Sequence, residues 1–299
     1  MRIPTESYED IFQNYSAALR WMKEIGVTFG PGRTQHYQNT VEHWKDVYKT
    51  ATKEDAINIF PDFLSSMFEI NDFIDIYRAF QNVPADQLGH IIKKLQKGVN
   101  GPINAADETP KSTTARNFLF EATLAARAHR PDNGVETILD AKSDTGIIIS
   151  NKKLWIECKR VTSVNKIEAN VKKASSQLES ILKKQHGSGH RGIVALDVTK
   201  LFNTGDKIYV SDNDSQLITS IDQKMDQFIE ENSKIWQRLY ERRSKKIIGT
   251  IIRFAFMCTS ESRNLLVHTS QWGMNPRRGT SDSDEKAQEL LASNLQGTE

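Results

Sequence analysis

Nine residues, Lys153 to Val161, read as a strand whose two sides differ in kind. Side chains alternate across a strand, so Leu154, Ile156 and Cys158 face one way and Trp155, Glu157 and Lys159 the other. The first set reads as core. A glutamate and a lysine on an otherwise interior strand are costly to bury unless they bind something. The strand before it, Thr145 to Ser150, runs Thr-Gly-Ile-Ile-Ile-Ser and opens on Asp144. A tight turn at Asn151-Lys152 makes the two strands antiparallel neighbours and brings Asp144 near Glu157. Such a pair needs helices packed on its apolar face, so the chain must mix the two kinds of element.

Periodicity places the rest. Residues 1–98 read as all-helical, with apolar spacing from Tyr8 to Ile25 and further helices near 37–50, 54–59, 62–81 and 84–97. Gly26 and Gly30-Pro31-Gly32 end the first, and Pro61-Asp62 and Pro84 read as breaks or starts. Residues 99–114, rich in Gly, Pro, Asp and Thr, read as a linker. A second domain then spans 115–273. Its order is a helix (116–129), strands at 134–139, 145–150 and 153–161, a long helix (164–184), a strand (192–198), a helix (214–243), and strands at 247–258 and 265–268. Residues 274–299 are polar and acidic and are expected to be a mobile tail, with a short helix near 284–294 as the alternative.

Composition excludes some classes. With 38% hydrophobic and 26% charged residues the chain can bury a core. No apolar run reaches the roughly 18–20 residues of a membrane span, so no membrane partner is expected. The first residues lack the apolar stretch of a secretory signal, and Cys158 and Cys258 lie in apolar runs as buried thiols. A cytoplasmic location is expected. The net charge of +2 hides an asymmetry: residues 151–200 carry 11 Lys/Arg against 4 Asp/Glu, and residues 279–299 one Lys against five acids. Positive charge around the candidate site would draw a polyanion. Lys152, Lys153, Arg160, Lys166, Lys172 and Lys173 are the candidate nucleic-acid contacts, although Lys-rich stretches are also commonly solvated helix faces.

Two carboxylates and an ammonium, converging, are equipment for phosphodiester hydrolysis. Close carboxylates repel unless a cation neutralises them. Mg²⁺ needs one or two carboxylates plus a carbonyl, here that of Cys158, and keeps several waters. Lys159 would steady the attacking water or the charge developing on phosphate. The alternative is a strand-end acid beside a surface Glu–Lys pair. Glu121 lies on a mostly apolar helix face and either adds a third acid or pairs with Arg116 or Arg127. Gln177 either reaches phosphate or is a helix-flank amide. Arg242, Arg243, Lys245 and Lys246 either contact phosphate or complement a helix C-terminus.

Taken together, a helix with Glu121, strands bearing Asp144 and Glu157-Cys158-Lys159, then a helix with Gln177 and a strand Gly192-Ile-Val-Ala-Leu-Asp197, resemble the PD-(D/E)XK nuclease superfamily. The resemblance covers about residues 115–200. It implies an α/β, restriction-endonuclease-like three-layer sandwich with a central mixed sheet, beside the all-helical N-terminal domain. It implies Asp144 and Glu157 as metal ligands, Lys159 as catalytic lysine, Glu121 as auxiliary acid, and Gln177 as the amide sometimes found on the following helix. Ser143 stands where many relatives have proline. Mg²⁺, or Mn²⁺ in its place, is the expected cofactor.

The expectation is a metal-dependent nuclease acting on DNA rather than RNA, with a role in restriction or defence by analogy. The rivals are a module that binds nucleic acid or protein without cutting, and an RNA-directed nuclease. A homodimer would suit double-strand cutting, and residues 1–98 would suit a protein partner.

Overall fold

The computed structural model describes residues 3, 5–109, 111–203, 207–262 and 265–297. The chain is mixed α/β and divides into two compact units. One comprises residues 1–119, 203–220 and 255–269, the other residues 120–202, 221–254 and 270–299.

In the first unit, α1 (Tyr8–Glu24) and α2 (Arg33–Val47) pack on each other and on α3 (Lys53–Phe80), and α4 (Gly89–Gly98) comes next. Ser7 caps α1 by accepting from the Asp10 amide, which satisfies an otherwise orphan donor. Tyr15, Leu19, Tyr37, Val41, Phe63, Met67 and Phe73 are buried between these helices. The break expected at Pro61 does not occur: α3 runs through it. Proline forgoes one backbone bond there. The capping box of Thr52 and Asp55 holds the start of the helix, and buried Phe63, Leu64, Met67 and Ile70 anchor the turns after the proline.

Nor do residues 99–114 separate two domains. The Arg116 guanidinium donates to the carbonyls of Pro102 and Ile103, both at 2.9 Å, and so pins this segment to the first unit. The division falls instead within α5 (Thr114–Ala128). Among the described residues the stretch read as helical, 1–98, holds α1 to α4 and no strand, but the unit it falls in is larger. It includes β5 (Ile208–Ser211), which pairs in parallel with residues 257–260 of β6 (Ile247–Ser260).

In the second unit the strand order is β1 (Val135–Thr137), β2 (Thr145–Ile149), β3 (Lys152–Arg160), β4 (His190–Asp197), then the first part of β6. β1–β2 and β2–β3 are antiparallel; β3–β4 and β4–β6 are parallel. β7 (Leu265–Pro276) also pairs with β6. The turn between β2 and β3 falls at Ser150-Asn151, both at positive φ (48° and 62°), the backbone a tight two-residue hairpin needs. The parallel step from β3 to β4 requires a crossover, supplied by α6 (Ile167–Lys183) with Val171, Ala174, Leu178 and Leu182 buried on one stripe. The long helix expected over 214–243 is two, α8 (Asp214–Glu231) and α9 (Ser233–Arg242). Asn232 interrupts it, its amide donating to the Phe228 carbonyl at 2.8 Å.

The tail carries the helix expected near 284–294, extended at both ends. It forms α10 (Asp282–Gln296), capped by Ser281, with Ala287, Leu291 and Leu295 buried beside Phe120, Ile156 and Trp272. Those three apolar residues at four-residue spacing make a core-facing stripe. Each buried leucine contributes about 1.5–3 kcal/mol, enough to hold an otherwise acidic helix.

Candidate functional site

The β2–β3 register pairs Thr145 with Ile156, so one step further Asp144 stands opposite Glu157. The Thr145 hydroxyl donates to the backbone carbonyl of Glu121 at 3.0 Å, fixing the start of β2 against α5. Asp144 Oδ2 accepts from the Cys158 amide at 2.9 Å and from Lys159 Nζ at 3.1 Å. Lys159 Nζ also reaches Glu157 Oε2 at 3.4 Å and the Cys158 carbonyl at 2.8 Å. One ammonium is therefore ringed by three oxygens from two strands.

The sheet gives these groups their environment. Ile156 and Cys158 belong to the core with Phe120, Leu124 and Ala128 of α5. Glu157 and Lys159 alternate with them and so point to the opposite face. Across the parallel strands Glu157 is level with Val194, which is level with Thr250, both fully buried. Glu157 is only 3% exposed. Burial pushes its carboxyl up, the Asp144 charge pushes it further, and Lys159 offsets this only in part, leaving it at about 7. Burial alone would lower the Lys159 ammonium, but the two carboxylates outweigh burial and raise it. The site thus carries more acid than its own lysine neutralises.

That donor set fits a hard cation: two carboxylate oxygens and a carbonyl already converge on one positive charge. Among the described residues no set of three or more His, Cys, Asp or Glu side chains is arranged to hold a metal. Glu121, buried on α5, therefore does not complete a trio with Asp144 and Glu157. Its helix packs on the other face of β3.

Gln177 is exposed on α6, outside the buried stripe, and none of the hydrogen bonds that join Asp144, Glu157, Cys158 and Lys159 includes it. The basic candidates divide. Lys153, Lys166, Lys172 and Lys173 are exposed. Lys152 is instead buried, with Nζ 2.9 Å from Asp284 Oδ1, and Arg191 Nε reaches the same oxygen at 2.9 Å. Arg160 lies against Asp197 at 3.6 Å, and Arg253 approaches the same carboxylate at 3.7 Å. Arg253 is buried and Arg160 half-buried, and both are in register with Asp197 across β3, β4 and β6. Lys152 and Arg160 are thus tied internally. A strand-end arginine level with a strand-end aspartate could have signalled this, but only once the strand pairing was known. Trp155 is buried, its indole N–H donating to His190 Nδ1 at 3.1 Å.

Compared with known proteins, the chain matches no family model, no curated protein and no solved structure.

Proposed function

We propose that this protein is a metal-dependent nuclease that hydrolyses phosphodiester bonds, on a restriction-endonuclease-like core. The observation that carries the reading is the convergence of Asp144 Oδ2, Glu157 Oε2 and the Cys158 carbonyl on the Lys159 ammonium. Asp144 and Glu157, with the Cys158 carbonyl, would hold Mg²⁺ or Mn²⁺. A bound ion of this kind polarises a phosphate and lowers the pKa of its water. Lys159, released from those oxygens, keeps its charge and hydrogen-bonds a non-bridging phosphate oxygen as charge develops there. Exposed Lys153, Lys166, Lys172 and Lys173 meet the strand backbone without reading sequence. DNA as substrate, and a pair of copies for double-strand cutting, rest on analogy with the superfamily the sequence resembles.

A second reading has its own support. Lys159 satisfies the same oxygens with no metal at all, so the fold could bind nucleic acid without cutting it. Cleavage of supercoiled plasmid and linear DNA with Mg²⁺, Mn²⁺ or EDTA separates the two. The nuclease reading expects metal-dependent nicking that falls at least about 10²-fold in Lys159→Ala. Salt-sensitive DNA retention without nicking would favour the binding module. Nicking that survives in Lys159→Ala would remove the site assigned here.

A further inference from the structure

A cavity of about 340 Å³ opens between α6 and α9. Its floor is apolar, formed by Val171, Ile235 and Leu239, and its rim carries Lys172, Arg238, Arg242 and Arg243 with Glu168. It includes none of Asp144, Glu157 or Lys159.

The cations are not equally engaged. Arg238 pairs with Glu168. Arg243 is held by Glu179 at 2.7 Å and by the Ser176 hydroxyl at 2.8 Å. Lys172 and Arg242 are exposed and make no ion pair or side-chain hydrogen bond among the described residues. Four positive charges face two negative ones, leaving an excess of two. A phosphomonoester carries about −1.5 to −2 at neutral pH, against −1 for a diester. The volume lies within the roughly 300–1,000 Å³ of small-molecule sites, whose pattern is an apolar lining with a few placed polar groups.

We infer that this cavity binds a phosphomonoester attached to an apolar or flat group. The phosphate sits between Lys172 and Arg242, with Arg238 and Arg243 already oriented by their own acids. The adjoining group rests on Val171, Ile235 and Leu239. The phosphate assignment stands on the cavity alone. That the attached group is a nucleoside, either free or at the 5′ end of a strand, rests on the nuclease reading above.

The test is binding of a labelled single strand bearing a 5′-phosphate against its 5′-hydroxyl counterpart, read by anisotropy in EDTA. Free AMP serves as competitor. The proposal expects the phosphate to tighten binding about tenfold, and the double variant Lys172→Ala, Arg242→Ala to abolish that difference with an unchanged urea midpoint. Competition by AMP at matching concentration identifies a free mononucleotide as the ligand; preference without competition identifies the strand end. Equal binding of both strands with no AMP competition overturns the proposal, as does a preference that survives the double variant. Repeating the titration with Lys159→Ala separates this site from the other, because the cavity keeps its preference whether or not Asp144 and Glu157 support cleavage.

Discussion

Two charge clusters, one in each unit, the first buried and the second partly so, are built from similar parts and balanced in opposite ways. In the first unit Glu69 receives Arg33 Nη1 at 2.7 Å, Arg116 Nε at 2.7 Å and the Tyr37 hydroxyl at 2.9 Å. In the second, Asp144 and Glu157 share the single ammonium of Lys159. Burial would push the Glu69 carboxyl up, but Arg33, Arg116 and the Tyr37 hydroxyl outweigh it and hold that group below its usual value. Glu157, with an acid for a neighbour and one shared cation, goes the other way. The first arrangement compensates its buried acid with two guanidiniums and a hydroxyl. The second leaves a deficit of positive charge that a cation from solvent can fill. Glu69 has more cation than it needs and Glu157 less, and that difference is what supports the chemical role proposed for the second cluster.

The largest effect expected from this contrast is at Glu69. Glu69→Ala leaves two buried guanidiniums without their carboxylate and should cost about 3–5 kcal/mol in urea unfolding. A loss below about 1 kcal/mol would show that the cluster is not what holds α2, α3 and α5 together. Acid sharpens the same point. The folded state favours ionised Glu69, so the unfolded chain takes up its proton at higher pH. The stabilisation is complete above the ordinary carboxyl range and is lost as pH falls through it to the folded value. The stability gap between wild type and Glu69→Gln should therefore shrink between about pH 5 and pH 3. A gap that stays constant across that interval would contradict the assigned direction.

Glu157→Gln should behave in the opposite way. It removes an excess buried acid and leaves Lys159 paired with Asp144 at 3.1 Å. Stability in EDTA should stay within about 1 kcal/mol of wild type or rise, because the desolvation cost of the charge disappears. Metal-dependent cleavage should be lost in the same protein. A drop of several kcal/mol would make Glu157 a structural partner like Glu69.

The second cluster was legible in the sequence because strand alternation is local. Period-two spacing put Glu157 and Lys159 on one side, and a short turn set Asp144 opposite. The first cluster was not, since Arg33, Glu69 and Arg116 lie 36 and 47 residues apart along the chain and no periodicity links them. Lys152 and Arg160 misled for the same reason. Their acids, Asp284 and Asp197, are brought to them by α10 docking and by parallel pairing. A short helix within residues 274–299 was legible, but the acidic composition around Ala287, Leu291 and Leu295 hid that it packs into the core.

Gln177 offers the smallest effect and the sharpest check on what the superfamily resemblance can transfer. The α6 stripe that packs inward is Val171, Ala174, Ser175, Leu178 and Leu182. Gln177 lies outside it and is exposed, so its amide has water on hand and no buried partner to lose. Gln177→Ala should change stability by less than about 0.5 kcal/mol, as an ordinary surface substitution does. Cleavage should be unchanged where Lys159→Ala abolishes it. A loss approaching that of Lys159→Ala would mean that Gln177, exposed as it is, reaches the bound substrate. The mixture of acid and base at Asp144, Glu157 and Lys159 would then be only part of the working site, and the imbalance that distinguishes it from the Glu69 cluster would have to be recounted with α6 included.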